Sequence, residues 1–185
     1  NIIDFGAGAN SNTLNFIGDI TSEGLDARAF SFGNNDGNTL TMTGNIITEG
    51  KAADGIYLFP GVTNANINMI GNITTSGSDR IYPAIGIGLE NSDFNITTMT
   101  GNIITTGTAS MGVLLKEGSD SNTINLTGNI STSGIDAHTV DILGSNDNTT
   151  SITGNISTTG VDADAVRISG GDRNTLNVVG DISAT

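Results

Sequence analysis

Apolar or small residues stand at alternate positions through seven short windows of the chain, and the windows are near-copies of one another. The windows begin at Gly18, Gly44, Gly71, Gly101, Gly128, Gly154 and Gly180, so successive copies lie 26, 27, 30, 27, 26 and 26 residues apart. Two residues after each of these glycines is an isoleucine, from Ile20 through Ile103 to Ile182. Two residues before them the column reads Phe16, Met42, Met69, Met99, Leu126, Ile152 and Val178. Two earlier still it reads Leu14, Leu40, Ile67, Thr97, Ile124, Thr150 and Leu176. A period of two means β-strands with one buried face. The zero glycine and a second one six residues on (Gly24, Gly50, Gly77, Gly107, Gly134, Gly160) mark bends in the chain.

One position breaks the apolar rule. Four residues after the zero glycine come Ser22, Thr48, Thr75, Thr105, Thr132 and Thr158. If they point inward, their hydroxyls are expected to bond the coil above or below, because a buried hydroxyl without a partner is costly.

Beyond the second glycine comes a further strand, usually marked by a small residue (Ala27, Ala53, Ser110, Ala137 or Ala163) and then an apolar pair. The pairs read Phe30 and Phe32, Ile56 and Leu58, Ile85 and Ile87, Val113 and Leu115, Val140 and Ile142, Val166 and Ile168. Turns rich in Gly, Asn and Asp follow, as in Asn35-Asp36-Gly37-Asn38-Thr39. Each unit is thus three short strands joined by corners. The prediction is an all-β parallel β-helix (β-solenoid) of about seven coils, right-handed by the general preference of parallel crossovers. At about 4.8 Å per coil it would be a rod roughly 34 Å long. No coil can stand alone, so stability is expected to belong to the array.

The pattern predicts a single domain over 1–185. Ile3 and Phe5 match the apolar pair of the last strand, and Ser183-Ala184-Thr185 stops short of the second glycine. The expectation is a chain that enters and leaves mid-coil, uncapped at both ends, as part of a longer chain or fibre with head-to-tail self-association. The unit beginning at Gly71 departs most from the period. Between Gly77 and Ile85 it is expected to gain two residues, around Arg80-Ile81-Tyr82-Pro83, with further length in Glu90-Asn91-Ser92-Asp93-Phe94. Insertions in a solenoid become protruding loops, often on the binding face, which makes Arg80, Tyr82 and Pro83 the binding-loop candidate.

Charge narrows the partners. The formal net charge is −13, with only 6 Lys and Arg, which argues against nucleic acid and against docking on an anionic membrane. No apolar run approaches the ~20 residues of a membrane span. Cysteine is absent, which excludes disulfides and thiolate chemistry.

Candidate chemistry is sparse. His138 is the only histidine and lies near no nucleophile elbow, so it reads as a solvent-facing strand residue. Asp162 and Asp164 could share a face, as a polysaccharide-cleaving β-helix would require. Aromatic platforms are few, however, and Lys51 and Lys116 fall in different coils. No catalytic or cofactor-binding residue is assigned. Asp36, Asp93, Asp120 and Asp172 share one turn position, with Asn10, Thr63 and Asn146 in the other copies. Calcium bridging stacked carboxylates is the alternative there to solvated Asx turns, although the glycine-rich calcium repeat is absent. The outward positions of one strand carry Thr and Asn (Thr39, Thr41, Thr43; Thr123, Asn125, Thr127), the flat array an ice-binding solenoid would need, interrupted by Ile17, Ile70, Ile96 and Val179.

The unit Gly-Asn-Ile-Ser/Thr-Thr-x-Gly, followed by Ala, two apolar positions and Asn-Thr, resembles the repeats of bacterial autotransporter-type passenger domains. It is similar to large surface adhesins of that kind, and the resemblance runs through essentially the whole chain. It implies secretion, a parallel β-helix and a role in attachment or as a stalk, with no catalytic residues to carry over. The expectation is an extracellular, cell-surface, structural or adhesive segment that meets a host or glycan surface. The alternatives are an ice- or glycan-binding module and a polysaccharide-degrading enzyme.

Overall fold

Alternation puts every second side chain of each window on one face, and the short coil length leaves nowhere to bury that face except inside the coil itself. The computed structural model, which describes residues 1–77, 81 and 83–185, shows this arrangement. Three parallel sheets of seven strands each run the length of the chain. The first sheet holds Ile3–Phe5, Phe30–Phe32, Ile56–Leu58, Ile87–Glu90, Val113–Lys116, Val140–Leu143 and Val166–Ser169. The second holds Thr13–Ile17, Thr39–Thr43, Asn66–Ile70, Ile96–Thr100, Thr123–Thr127, Thr149–Thr153 and Thr175–Val179. The third holds Ile20–Glu23, Ile46–Glu49, Ile73–Ser76, Ile103–Thr106, Ile130–Ser133, Ile156–Thr158 and Ile182–Ala184. Each strand pairs in parallel with its equivalent one coil away, which is a β-solenoid of about seven coils.

Register turns sequence columns into stacks of like side chains. Ile46, Ile73, Ile103, Ile130 and Ile156 lie over one another, fully buried. Met42, Met69, Met99 and Leu126 do the same on the second sheet. Phe5 and Phe32 stack at 4.6 Å between ring centroids, and Phe16 meets Phe30 edge-on at 6.3 Å. The few aromatics are thus concentrated in the first two coils of the core.

The zero glycines show how tightly the coils approach. Gly44 and Gly71 have φ of 143°, in the region that favours glycine. A Cβ on Gly71 would sit 1.9 Å from the carbonyl oxygen of Gly44. No other residue fits that column.

At the corners, where strand pairing lapses, side-chain amides take over. Beside the glycines, the N–H groups of Asn45, Asn72, Asn102, Asn129, Asn155 and Asp181 each donate to the side-chain oxygen one coil earlier, at 2.7–3.0 Å. Ahead of the second sheet, a buried ladder runs the opposite way. The N–H groups of Asn95, Asn122 and Asn148 donate to Asn122, Asn148 and Asn174 one coil later, at 2.9–3.0 Å. The side-chain amides of Asn122 and Asn148 return a bond to the carbonyls of Ser92 and Ser119. Buried backbone polar groups are thereby satisfied outside the sheets.

Two details differ from the sequence expectation. In the long unit the residues stacked on Ile56 and Leu58 are Ile87 and Leu89, not Ile85 and Ile87. Ten positions therefore separate Gly77 from Ile87 where six separate Gly50 from Ile56, and all four extra residues lie before the strand. The Glu90–Phe94 turn adds none, because Leu89 to Ile96 spans seven positions, as Phe32 to Thr39 does. Ala84 takes the small-residue place beside Ser110, whose hydroxyl accepts its N–H at 3.2 Å. Two-residue alternation had allowed either pairing, and ladder continuity chose the later one.

The hydroxyl column also differs. These side chains do point inward, but Ser22 and Thr132 bond the corner carbonyls of their own coils, at Ala27 and Ala137. Thr158 reaches back to Ala137 of the neighbouring coil at 3.2 Å. Thr48, Thr75 and Thr105 are fully buried, with hydroxyls that have no hydrogen-bond partner among the described residues. Thr75→Val, which keeps the shape and removes that hydroxyl, is expected to stabilise the fold by about 1 kcal/mol in denaturant unfolding. A loss of similar size would show that the hydroxyl is satisfied.

Candidate functional site

The outer face of the first sheet is where the repeat stops being uniform. Its outward column reads Ser31, Tyr57, Gly88, Leu114, Asp141 and Arg167 along the stack. Most outward columns of the solenoid face solvent, yet Ser31, Tyr57, Leu114 and Asp141 are buried. They are covered by the corner that precedes the strand, whose own column reads Arg28, Asp54, Ile85, Met111, His138 and Asp164. A small second cluster forms there, in which Tyr57, Ile85 and Leu114 pack with Phe59, Met111 and Leu143.

Between these columns lies a cavity of about 420 Å³, within the size range of small-molecule sites. Leu114, Met111, Leu143 and Ile85 supply its apolar lining. Asp26, Arg28, Asp54 and Lys116 supply charge, and Ile81 and Pro83 of the long corner complete it. Gly88 makes the arrangement possible, because a Cβ there would come within 2.6 Å of the Tyr57 ring. With that space open, the Tyr57 hydroxyl reaches Glu90 and donates to its Oε2 at 2.6 Å.

The charges are paired from within. Arg28 Nε donates to Asp54 Oδ2 at 2.6 Å, and Arg28 Nη2 lies 3.5 Å from Asp26. The guanidinium also sits 5.3 Å from the Tyr57 ring centre and 5.0 Å from that of Phe59, a cation–π position. Lys116 Nζ lies 3.4 Å from Glu90 and 3.2 Å from Glu117. Asp54 is nearly inaccessible, and its other oxygen accepts the N–H of Ile85 at 2.8 Å. Burial lifts its carboxyl to about 6, with Arg28 and the Ile85 N–H pulling against the rise. Burial and Glu90 together raise the Tyr57 hydroxyl well above its ordinary value, so it stays a neutral donor.

Of the binding-loop candidate, Pro83 lines the cavity, while Arg80 and Tyr82 lie outside the described residues. His138 is not a solvent-facing strand residue. It is buried at the corner before Val140–Leu143, and its Nδ1 accepts the N–H of Asp164 at 2.9 Å. That bond makes it a ladder acceptor, the place Asp54 takes toward Ile85 in an earlier coil. Alternation alone could not distinguish a corner from a strand there. Asp162 and Asp164 are both exposed, and the Asp164 carboxylate lies 3.5 Å from His138.

The calcium candidates lie in one column, and the carboxylates of Asp36, Asp93 and Asp120 already accept hydrogen bonds from neighbouring coils. Asp93 accepts the N–H of Asp120 at 2.9 Å, and Asp120 that of Asn146 at 2.6 Å. Asp36 accepts from Thr63 and Asn64, which hold its carboxyl below the usual range, and Asp172 donates its N–H to Asn146. Among the described residues no three His, Cys, Asp or Glu side chains gather as a metal would need. The outward face of the second sheet carries three positions on each of seven strands, all exposed or half-buried, and none is charged.

Sequence reasoning missed the lining residues Arg28, Asp54, Tyr57 and Lys116, and Gly88 and Glu90 beside them. The columns they occupy are not uniform along the chain, and that irregularity was the available signal. Comparison with known proteins finds no matching family model, curated protein or solved structure. Among the described residues no helix is long and apolar enough to cross a membrane.

The raised Asp54 carboxyl predicts a pH signature. A group that holds its proton more tightly when folded adds stability that is fully present below its unfolded value near 4 and is lost as pH rises through about 6. The melting temperature of the native chain minus that of Asp54→Asn is therefore expected to increase as pH falls from 7 to 5. The other carboxylates cancel in the difference, and a difference that shrinks on acidification would refute the assignment.

Proposed function

We propose that the chain is part of the rod of an extracellular bacterial surface protein, structural or adhesive rather than catalytic, which carries its groove on one side. The observation that carries this reading is the constancy of register. All three ladders run through the seven coils without a slip, although the long unit carries four extra residues between Gly77 and Ile87. Parallel ladders of this kind hold side chains at a fixed spacing along an axis, which suits a spacer or stalk. The acidic surface suits it too, because like charge keeps rods from bundling. Immunogold labelling with an antibody to this segment is expected to decorate intact source cells. Labelling that appears only after permeabilisation would overturn the reading.

A second reading is favoured by the second sheet. Its outward face has no charged residue although the chain contains 25, and it presents hydroxyl, amide and methyl groups about 4.8 Å apart across strands and about 7 Å apart along them. Such a face suits ordered water. Thermal hysteresis above that of an equally concentrated control protein would favour ice binding over the rod reading, and its absence is the outcome expected here.

A further inference from the structure

The groove on the first sheet has the features of a binding site rather than of a packing flaw. Tyr57 and Leu114 line it from either side of Gly88, whose lack of a side chain leaves room for the Tyr57 ring. Its polar groups are held in place before any ligand arrives, Arg28 by Asp54 and Lys116 by Glu90. Such preorganisation lowers the entropy cost of binding.

Charge decides the class of ligand. Each cation of the lining already has a carboxylate partner, so an anionic ligand would have to compete with Asp54 or Glu90 on a chain of net charge −13. A cationic ligand would face Arg28 and Lys116 directly. A neutral polyol disturbs neither pair. Each of its hydroxyls can donate to a carboxylate lone pair and accept from a free guanidinium or ammonium N–H. The apolar patch of Leu114, Met111 and Leu143 matches the C–H face of a pyranose ring, and the 420 Å³ volume accommodates one such ring or two.

We propose that this groove binds a neutral hexopyranose unit of a glycan, seated on Leu114 and Met111 and hydrogen-bonded by Arg28, Lys116 and Asp26. The chemistry depends only on the groove. That the sugar belongs to a surface glycan rests on the rod reading above.

The four methionines make a clean test. Met42, Met69 and Met99 are sealed in the core, whereas Met111 is half-buried and lines the groove. The chain, labelled with ¹³C at its methionine methyls, is titrated with the methyl glycosides of glucose, galactose and mannose. Glucuronate, inorganic phosphate and glucosamine serve as charged probes. The Met111 resonance is expected to shift saturably with at least one neutral glycoside while the three core resonances stay in place. Lys116→Ala should weaken that binding roughly tenfold, the loss of one charge-assisted hydrogen bond. Leu143→Arg should abolish it by filling the floor, and unmoved core methyl resonances would show that either variant is folded.

A Met111 signal that ignores every neutral glycoside overturns the proposal, and so does one that answers only to glucuronate, phosphate or glucosamine. Equal binding by Leu143→Arg would put the sugar elsewhere and also overturn it. Surface labelling with a silent Met111 leaves the rod without this sugar site. A responsive Met111 with internal labelling keeps the sugar site and removes the surface role.

Discussion

Coil-on-coil hydrogen bonding at about 4.8 Å is the constraint on which the rest of this structure depends. In a parallel ladder every residue must find its partner directly above or below, so a side chain tolerated in one coil must be tolerated against its own kind. The isoleucine stack from Ile46 to Ile156 satisfies this by shape. The glycine column satisfies it by having no side chain where a carbonyl of the adjacent coil lies 1.9 Å from any Cβ. Inward threonines such as Thr75 meet the packing requirement while leaving a hydroxyl unpaired, a local cost the array tolerates.

Corners impose the same constraint in another form. Strand pairing lapses there, but the backbone still carries donors and acceptors that stacking removes from water. Asparagine answers this because its side chain offers an acceptor to one neighbour and donors to another. The exposed ladder through Asn45 and Asn129 and the buried one through Asn122 run in opposite directions, so amide bonds tie each coil to both of its neighbours. The two are not energetically equal. An exposed Asn45 can be replaced at its corner by water, whereas loss of Asn122 would strand the N–H of Asn95 and the carbonyl of Ser92 in the interior.

A lattice this strict has little room for individuality, and the groove is where individuality is found. Four extra residues enter the chain before Ile87, yet all three ladders keep their register on either side of them. Around them the columns hold unlike residues: a tyrosine leaning across a glycine, a buried carboxylate gripped by an arginine, a lysine set against a glutamate. The repeat supplies the rigidity and the irregular coils supply the chemistry.

The sequence by itself determined the coil. A glycine followed two residues later by isoleucine, seven times over, is a statement about period, and period dictates strands, corners and stacking without reference to anything distant in the chain. It did not determine register in the long unit, because Ile85, Ile87 and Leu89 alternate equally well and only pairing with Ile56 and Leu58 selects the last two. Nor could it distinguish a strand from a corner for His138, whose burial depends on an N–H from the next coil. The groove was illegible for the same reason. Arg28, Asp54, Tyr57, Glu90 and Lys116 are scattered over four coils, and irregular columns alone do not say which of these residues meet. Stacking at a fixed spacing brings them together, and that proximity belongs to the tertiary structure alone.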